Sequence, residues 1–226
     1  MNDIERTIGE RRGERKRSWQ RYAALGILFA LGSLLFTGCA SSVKDTSRTF
    51  RTVVIDAGHG GRATGTSSRW AGTEKAAALD VALRLQPKLR AAGFRTVMTR
   101  TRDVDVELNE RPAISNRQSN AIFVSIHFNE SRARRIHGTE TYYKSQASYG
   151  LARRVQGAVS SLPGATSRGV KAANFRVLRL NRYPAVLVEC GYFSNPAEAR
   201  RCAKPEYREQ IADALARAII AQRRGG

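Results

Sequence analysis

Three ionisable side chains recur at one place in the pattern of this chain, the end of an apolar run. His59 follows Thr52-Val53-Val54-Ile55-Asp56 and sits inside Ala57-Gly58-His59-Gly60-Gly61. His127 closes Ile122-Phe123-Val124-Ser125-Ile126, and Glu189 closes Ala185-Val186-Leu187-Val188. Short apolar runs of this kind read as buried strands, and glycines after the first of them let the backbone turn sharply. Open α/β sheets gather their chemistry in the crevice outside the carboxyl ends of the strands. Two imidazoles and a carboxylate on such a rim make the donor set of a catalytic zinc, which leaves its fourth position for water. The carboxylate is Glu74, Glu189 or Asp56, and spacing does not choose among them. Glu74 also suits the first turn of a helix, where the dipole favours acid, and Asp56 also suits the bracing of a glycine turn. Glu189 directly follows a buried run, where an unpaired carboxylate is costly. The third histidine, His137, falls on a loop and is expected to bind nothing.

Strands and helices alternate from residue 50 onward, the pattern of a single α/β domain with a mostly parallel, twisted sheet flanked by helices. After the first strand, helices are expected near 73–92, 107–119, 149–162 and 205–222. Further strands are expected at 94–100, 121–129, 138–144, 176–180 and 185–189. Pro87 predicts a kink, a break or two shorter helices, because proline in a helix interior costs roughly 3 kcal/mol. Arg223-Arg224-Gly225-Gly226 should fray.

The first 49 residues read differently. A basic stretch through Arg21 leads into an apolar run from Tyr22 to Phe36. This run is shorter than the ~20 residues of a spanning helix, which predicts a signal peptide over 1–38. Its end, Phe36-Thr37-Gly38-Cys39, resembles the lipobox of bacterial lipoproteins, which implies cleavage before Cys39 and acylation of that cysteine. Residues 39–49, rich in Ser and Thr, then form a tether to a catalytic domain at 50–226. The expectation is an exported, membrane-anchored protein of the cell envelope. The outer membrane is favoured where the cell has one, since Ala40 is not the aspartate that retains many lipoproteins at the inner membrane. The formal net charge of +20 implies an acidic neighbour such as anionic envelope polymers. Export, and the lack of a recognisable binding module, argue against nucleic acid. Cys190 and Cys202 remain either as a pair or as two buried thiols.

Beyond single residues, ordered blocks run from about residue 51 to 222: Val54-Ile55-Asp56-Ala57-Gly58-His59-Gly60-Gly61, Glu74-Lys75, Thr99-Arg100, Glu110-Arg111, Val124-Ser125-Ile126-His127, Gly169-Val170-Lys171, Val177-Leu178-Arg179 and Val186-Leu187-Val188-Glu189-Cys190-Gly191-Tyr192. Together they resemble the zinc-dependent N-acetylmuramoyl-L-alanine amidases of the amidase-3 type. The resemblance implies one Zn2+ per chain held by His59, Glu74 and His127, with Glu189 as the catalytic general base and acid. It implies peptidoglycan as substrate, cut between the lactyl group of N-acetylmuramic acid and L-alanine of the stem peptide. Asn129 is placed to orient substrate or a ligand, or else to finish its strand. Some division-associated relatives carry a self-blocking helix after the strand matching 138–144. Here Tyr143-Lys144-Ser145-Gln146 leads almost directly into the next helix, so activity is expected to be limited by location, expression or an activator.

Overall fold

The first strand, β1 (Thr52–Ala57), is buried at all six positions, as its β-branched composition requires. It belongs to a computed structural model that describes residues 43–225; the expected signal peptide and Cys39 lie outside the described residues. After β1 come β2 (Ser67–Ser68), β3 (Gly72–Thr73), α1 (Glu74–Ala91), β4 (Arg95–Met98), α2 (Glu110–Asn116) and β5 (Ala121–Asn129). The chain continues with β6 (Thr139–Tyr143), α3 (Gln146–Ser160), β7 (Ser167–Ala172), α4 (Arg176–Arg179), β8 (Ala185–Tyr192), α5 (Pro196–Ala203) and α6 (Pro205–Arg224). Six strands form one sheet in the order β4-β1-β5-β8-β6-β7. Neighbours are parallel except β6 and β8, so the sheet is mostly parallel as expected. β2 and β3 form a separate small hairpin.

Alternation along the strands divides the core. Val53, Ile55, Ile122, Val124, Val186 and Val188 pack on one face of the sheet with side chains of α1, α3 and α6. Val54, Phe123 and Leu187 pack on the other with Val177, Leu178 and Tyr183. Full burial of each Val, Leu, Ile or Phe contributes about 1.5–3 kcal/mol, so both faces hold the sheet. The same alternation carries Asp56, His127 and Glu189 onto the second face, at the carboxyl edge where the apolar runs stop.

Several expectations need correction. Pro87 neither breaks nor divides α1, which runs through it. The N–H that proline lacks would have met the carbonyl of Leu83, and Leu83 is exposed, so water can satisfy that oxygen. The strand expected at 176–180 is the short helix α4, since a brief apolar run does not distinguish the two by periodicity. β7 and α5 were not expected. α5 nevertheless carries a start signal, Asn195 capping Ala197 and Glu198 with Pro196 at the first position. Arg223 and Arg224 complete α6, and Arg223 donates to the Phe50 and Arg48 carbonyls. The tether stretch is held on the domain from Val43: Lys44 N donates to the Arg182 carbonyl, and Phe50 is buried and stacked on Phe94. Cys190 and Cys202 are unpaired buried thiols. β6 ends at Tyr143 and α3 begins at Gln146, which leaves no room there for an inserted helix.

Candidate metal centre and catalytic cleft

His59, Glu74 and His127 meet, each offering one donor atom, with all three atoms within 4.8 Å of one another. Glu74 Oε1 is 3.0 Å from His59 Nε2 and 2.8 Å from His127 Nδ1, and it accepts from Phe128 N at 3.0 Å. Glu74 Oε2 accepts from Thr66 N at 2.9 Å. Burial pushes the Glu74 carboxyl up, but its bonds to His127 and His59 outweigh burial and hold it well below the usual carboxylate range. Of the three carboxylates left open by spacing, it is therefore Glu74 that joins the histidines. Two imidazole nitrogens and one ionised oxygen are the donor chemistry of a two-histidine, one-carboxylate site.

Asp56 has the other role considered for it, bracing. It is fully buried, its Oδ1 accepts from Arg111 Nη1 at 2.8 Å and Thr99 Oγ1 at 2.7 Å, and its Oδ2 accepts from Ser125 Oγ at 2.6 Å. Arg111 also donates to the carbonyls of Ala57 and His59, and Arg100 donates to those of Ala57 and Gly58. Two buried guanidiniums thus grip three successive carbonyls of the turn that carries His59. The grip matters because His59 has φ 60°, a left-handed conformation uncommon outside glycine. Arg100 and Arg111 belong to quoted blocks, yet their supporting role was not read from the sequence.

Gly58 is required for a different reason. A Cβ at this position would lie 2.5–2.8 Å from three atoms of the His127 ring. Gly58→Ala is expected to displace that ring and weaken divalent-metal affinity by about 10–100-fold, the range for changes behind metal ligands. Competition with a chromophoric chelator checks this, and unchanged affinity would mean that the ring yields freely.

Glu189 stands beside His127 in the register of the parallel pair β5 and β8. Its Oε2 is buried and has no hydrogen-bond partner among the described residues, although the residue lines the cleft. Burial raises its carboxyl well above the ordinary value, and the charges of Glu74 and Glu140 add to that. Glu140, missed in the sequence, is the antiparallel partner of Glu189 on β6. Burial alone would raise Glu140, but bonds from Lys171, Tyr142, Tyr192 and Arg168 bring it down to about 2. A glutamate at a buried position of a strand was the available signal.

The cleft holds about 650 Å³ and is lined by His59, Glu74, His127, Asn129 and Glu189 together with the exposed Leu108 and Phe175. Asn129 faces the cleft with Oδ1 engaged by Glu130 N, and it makes no hydrogen bond to the three clustered residues. His137 is exposed, bonds the Arg135 carbonyl and lies outside the cluster, as expected. Cys190 alternates away from Glu189 into the core, and burial raises its thiol, so it is not poised for oxidation.

Comparison with known proteins agrees with this geometry. A family model described as N-acetylmuramoyl-L-alanine amidase, of the amidase-3 type, matches residues 53–221. The uncharacterized protein YqiI of Bacillus subtilis is 33% identical over 205 residues, 89% of this chain and 95% of YqiI. N-acetylmuramoyl-L-alanine amidase LytC of the same species is 33% identical over 168 residues, 73% of this chain but only 34% of LytC. The solved structure of N-acetylmuramoyl-L-alanine amidase AmiC2 of Nostoc punctiforme is 37% identical, with 74% of this chain and 94% of that one covered and a TM-score of 0.71. A matched span that includes both histidines, Glu74 and Glu189, on a fold shared with a solved amidase, identifies the chain as a member of the amidase-3 family of N-acetylmuramoyl-L-alanine amidases.

Proposed function

We propose that this chain is a peptidoglycan hydrolase that cuts the amide between the lactyl group of N-acetylmuramic acid and L-alanine of the stem peptide. In this reading His59, Glu74 and His127 hold one zinc ion, and Glu189 moves the protons. The observation that carries the reading is the partnerless Oε2 of Glu189, buried in the cleft on the strand beside His127. A buried carboxylate oxygen without a partner is costly, which is why such an atom in a cleft points to work on a ligand.

Zinc, when bound, polarises a carbonyl and lowers the pKa of water from 15.7 toward about 7. The residues of the chain do the rest. Glu189 takes the proton of the attacking water and delivers it to the amine of alanine as the amide breaks, a general base that becomes a general acid. Arg100 and Arg111 keep His59 in its strained turn, so the donors need not reorganise during reaction.

Full-length protein, solubilised in detergent, tests this on isolated peptidoglycan with and without a chelator. Mass analysis is expected to find stem peptides with an alanine N-terminus, glycan strands left whole, and activity that tracks about one zinc per chain. Bound zinc without released peptides would transfer the site to another amide, and absence of zinc would sink the ligand assignment. Attachment to a membrane through lipid on Cys39 is a second part of the proposal, supported by the Phe36-Thr37-Gly38-Cys39 sequence. The intact mass of the protein from cells is expected to equal residues 39–226 plus acyl groups; an unmodified cysteine would overturn it.

A further inference from the structure

Most arginines around the cleft are already engaged. Arg100 and Arg111 hold the His59 turn, Arg168 pairs with Glu140, and Arg201 pairs with Glu198. Arg69, Arg132 and Arg134 differ: among the described residues none of their exposed side chains makes an ion pair or a hydrogen bond. All three wall a separate pocket of about 440 Å³. This pocket meets the catalytic cleft at Thr66 and Glu130, which line both and are joined by a 2.9 Å bond from Thr66 Oγ1 to Glu130 Oε2.

The backbone that carries two of these arginines is held in place. Ser131 N donates to Ser194 Oγ at 2.9 Å, and Asn195 Nδ2 donates to the Arg134 carbonyl at 2.9 Å. The loop that carries Arg132 and Arg134 is thereby tied to the start of α5. The guanidinium of Arg69 lies 4.2 Å over the Trp70 ring, with Arg200 4.4 Å from the same ring. Stacking fixes the plane of a guanidinium while leaving its N–H edge free for a carboxylate.

The two compartments differ in how their arginines are engaged. The cleft is lined by Glu74, Asp105, Glu107, Glu130 and Glu189. Of its own arginines, Arg111 pairs with Asp56 and Arg176 donates to the neutral amide oxygen of Asn109. In the adjoining pocket a substrate carboxylate meets three arginines against the single carboxylate of Glu130. On the amidase reading, from which this inference proceeds, the amine side of the scissile bond continues as a peptide with free carboxylates. We propose that the Arg69, Arg132 and Arg134 pocket is the subsite that grips a carboxylate of the stem peptide and so directs the peptide arm across the Thr66–Glu130 bridge.

The carboxylate is either that of the second residue or the C-terminus, and synthetic muramoyl peptides with one or the other converted to carboxamide separate these sources. With the full-length enzyme, amidation of the gripped carboxylate is expected to lower kcat/KM by about tenfold or more, since charge-assisted bonds of this kind are roughly twice as strong as neutral ones. In Arg132→Gln/Arg134→Gln that preference should vanish, the two substrates then being turned over at equal kcat/KM, and Arg132→Lys/Arg134→Lys should restore part of it. A second measurement does not need turnover: calorimetry with the free stem peptide as probe, where amidation or the double glutamine change should weaken binding to a similar extent. Cleavage with no discrimination between acid and amide would overturn the subsite and leave the amidase reading standing. Arginine-dependent binding of the peptide without any cleavage would overturn the amidase reading and keep the subsite. A preference for the acid that survives the double variant would place the grip elsewhere.

Discussion

Glu189→Gln is expected to lower kcat on muramoyl peptides by about 10²–10⁴-fold, the contribution of a positioned general acid–base group, with zinc content unchanged. The argument starts from position. Glu189 is adjacent to His127 across β5 and β8 yet contributes no atom to the group formed by His59, Glu74 and His127. Glutamine keeps the shape, and Oε2 has no protein partner to lose, so the strand and the ligands should stay in place. What disappears is the capacity to accept a proton from water. Metal analysis on the same preparation separates the two roles: activity lost with zinc kept assigns Glu189 to proton transfer, whereas zinc lost together with activity would make it a ligand. Activity within a few-fold of wild type would mean that another base does the work.

How much of this site could be read from the chain depends on the range of the interactions involved. His127 and Glu189 were legible because local alternation and the end of an apolar run place them, and the parallel register then brings them together. Glu74 was not legible from spacing. Its choice over Asp56 depends on where the first turn of α1 lands against β1 and β5, which the stretch between Gly61 and Thr73 decides. Gly65 in that stretch has φ 67°, and a Cβ there would lie 2.4 Å from Glu74 Oε2, so the carboxylate sits against bare backbone. Only the resemblance pointed to Glu74 in advance. The fold followed the same division. Long buried runs gave β1, β5 and β8, whereas α4 and β7 are short and are fixed by what they pack against. The arginine pocket combines residues 69, 132 and 134 from two loops, and no local pattern joins them.

Asp56→Ala is expected to cost about 3–5 kcal/mol of stability, the penalty for removing one partner of a buried ion pair. Such a loss is a large fraction of the 5–15 kcal/mol typical of a domain. Asp56 is fully buried, and its partner Arg111 is nearly so, with no other carboxylate among the described residues bonded to that guanidinium. The alanine variant therefore leaves Arg111 charged and out of water while Thr99 and Ser125 lose their acceptor. For a chain of this size each kcal/mol lowers Tm by roughly 2–4 °C, so a fall of order 10 °C should be seen by calorimetry. Bound metal would itself stabilise the folded state, so the scan is made with chelator as well as with zinc. A similar fall in chelator assigns the loss to the buried brace. A fall confined to the zinc-loaded protein would mean that Asp56 acts only by presenting His59, through the carbonyls that Arg111 and Arg100 hold. A loss below about 1 kcal/mol in both would mean that Arg111 finds enough in the carbonyls of Ala57, His59 and Val106 to remain buried without a counter-charge.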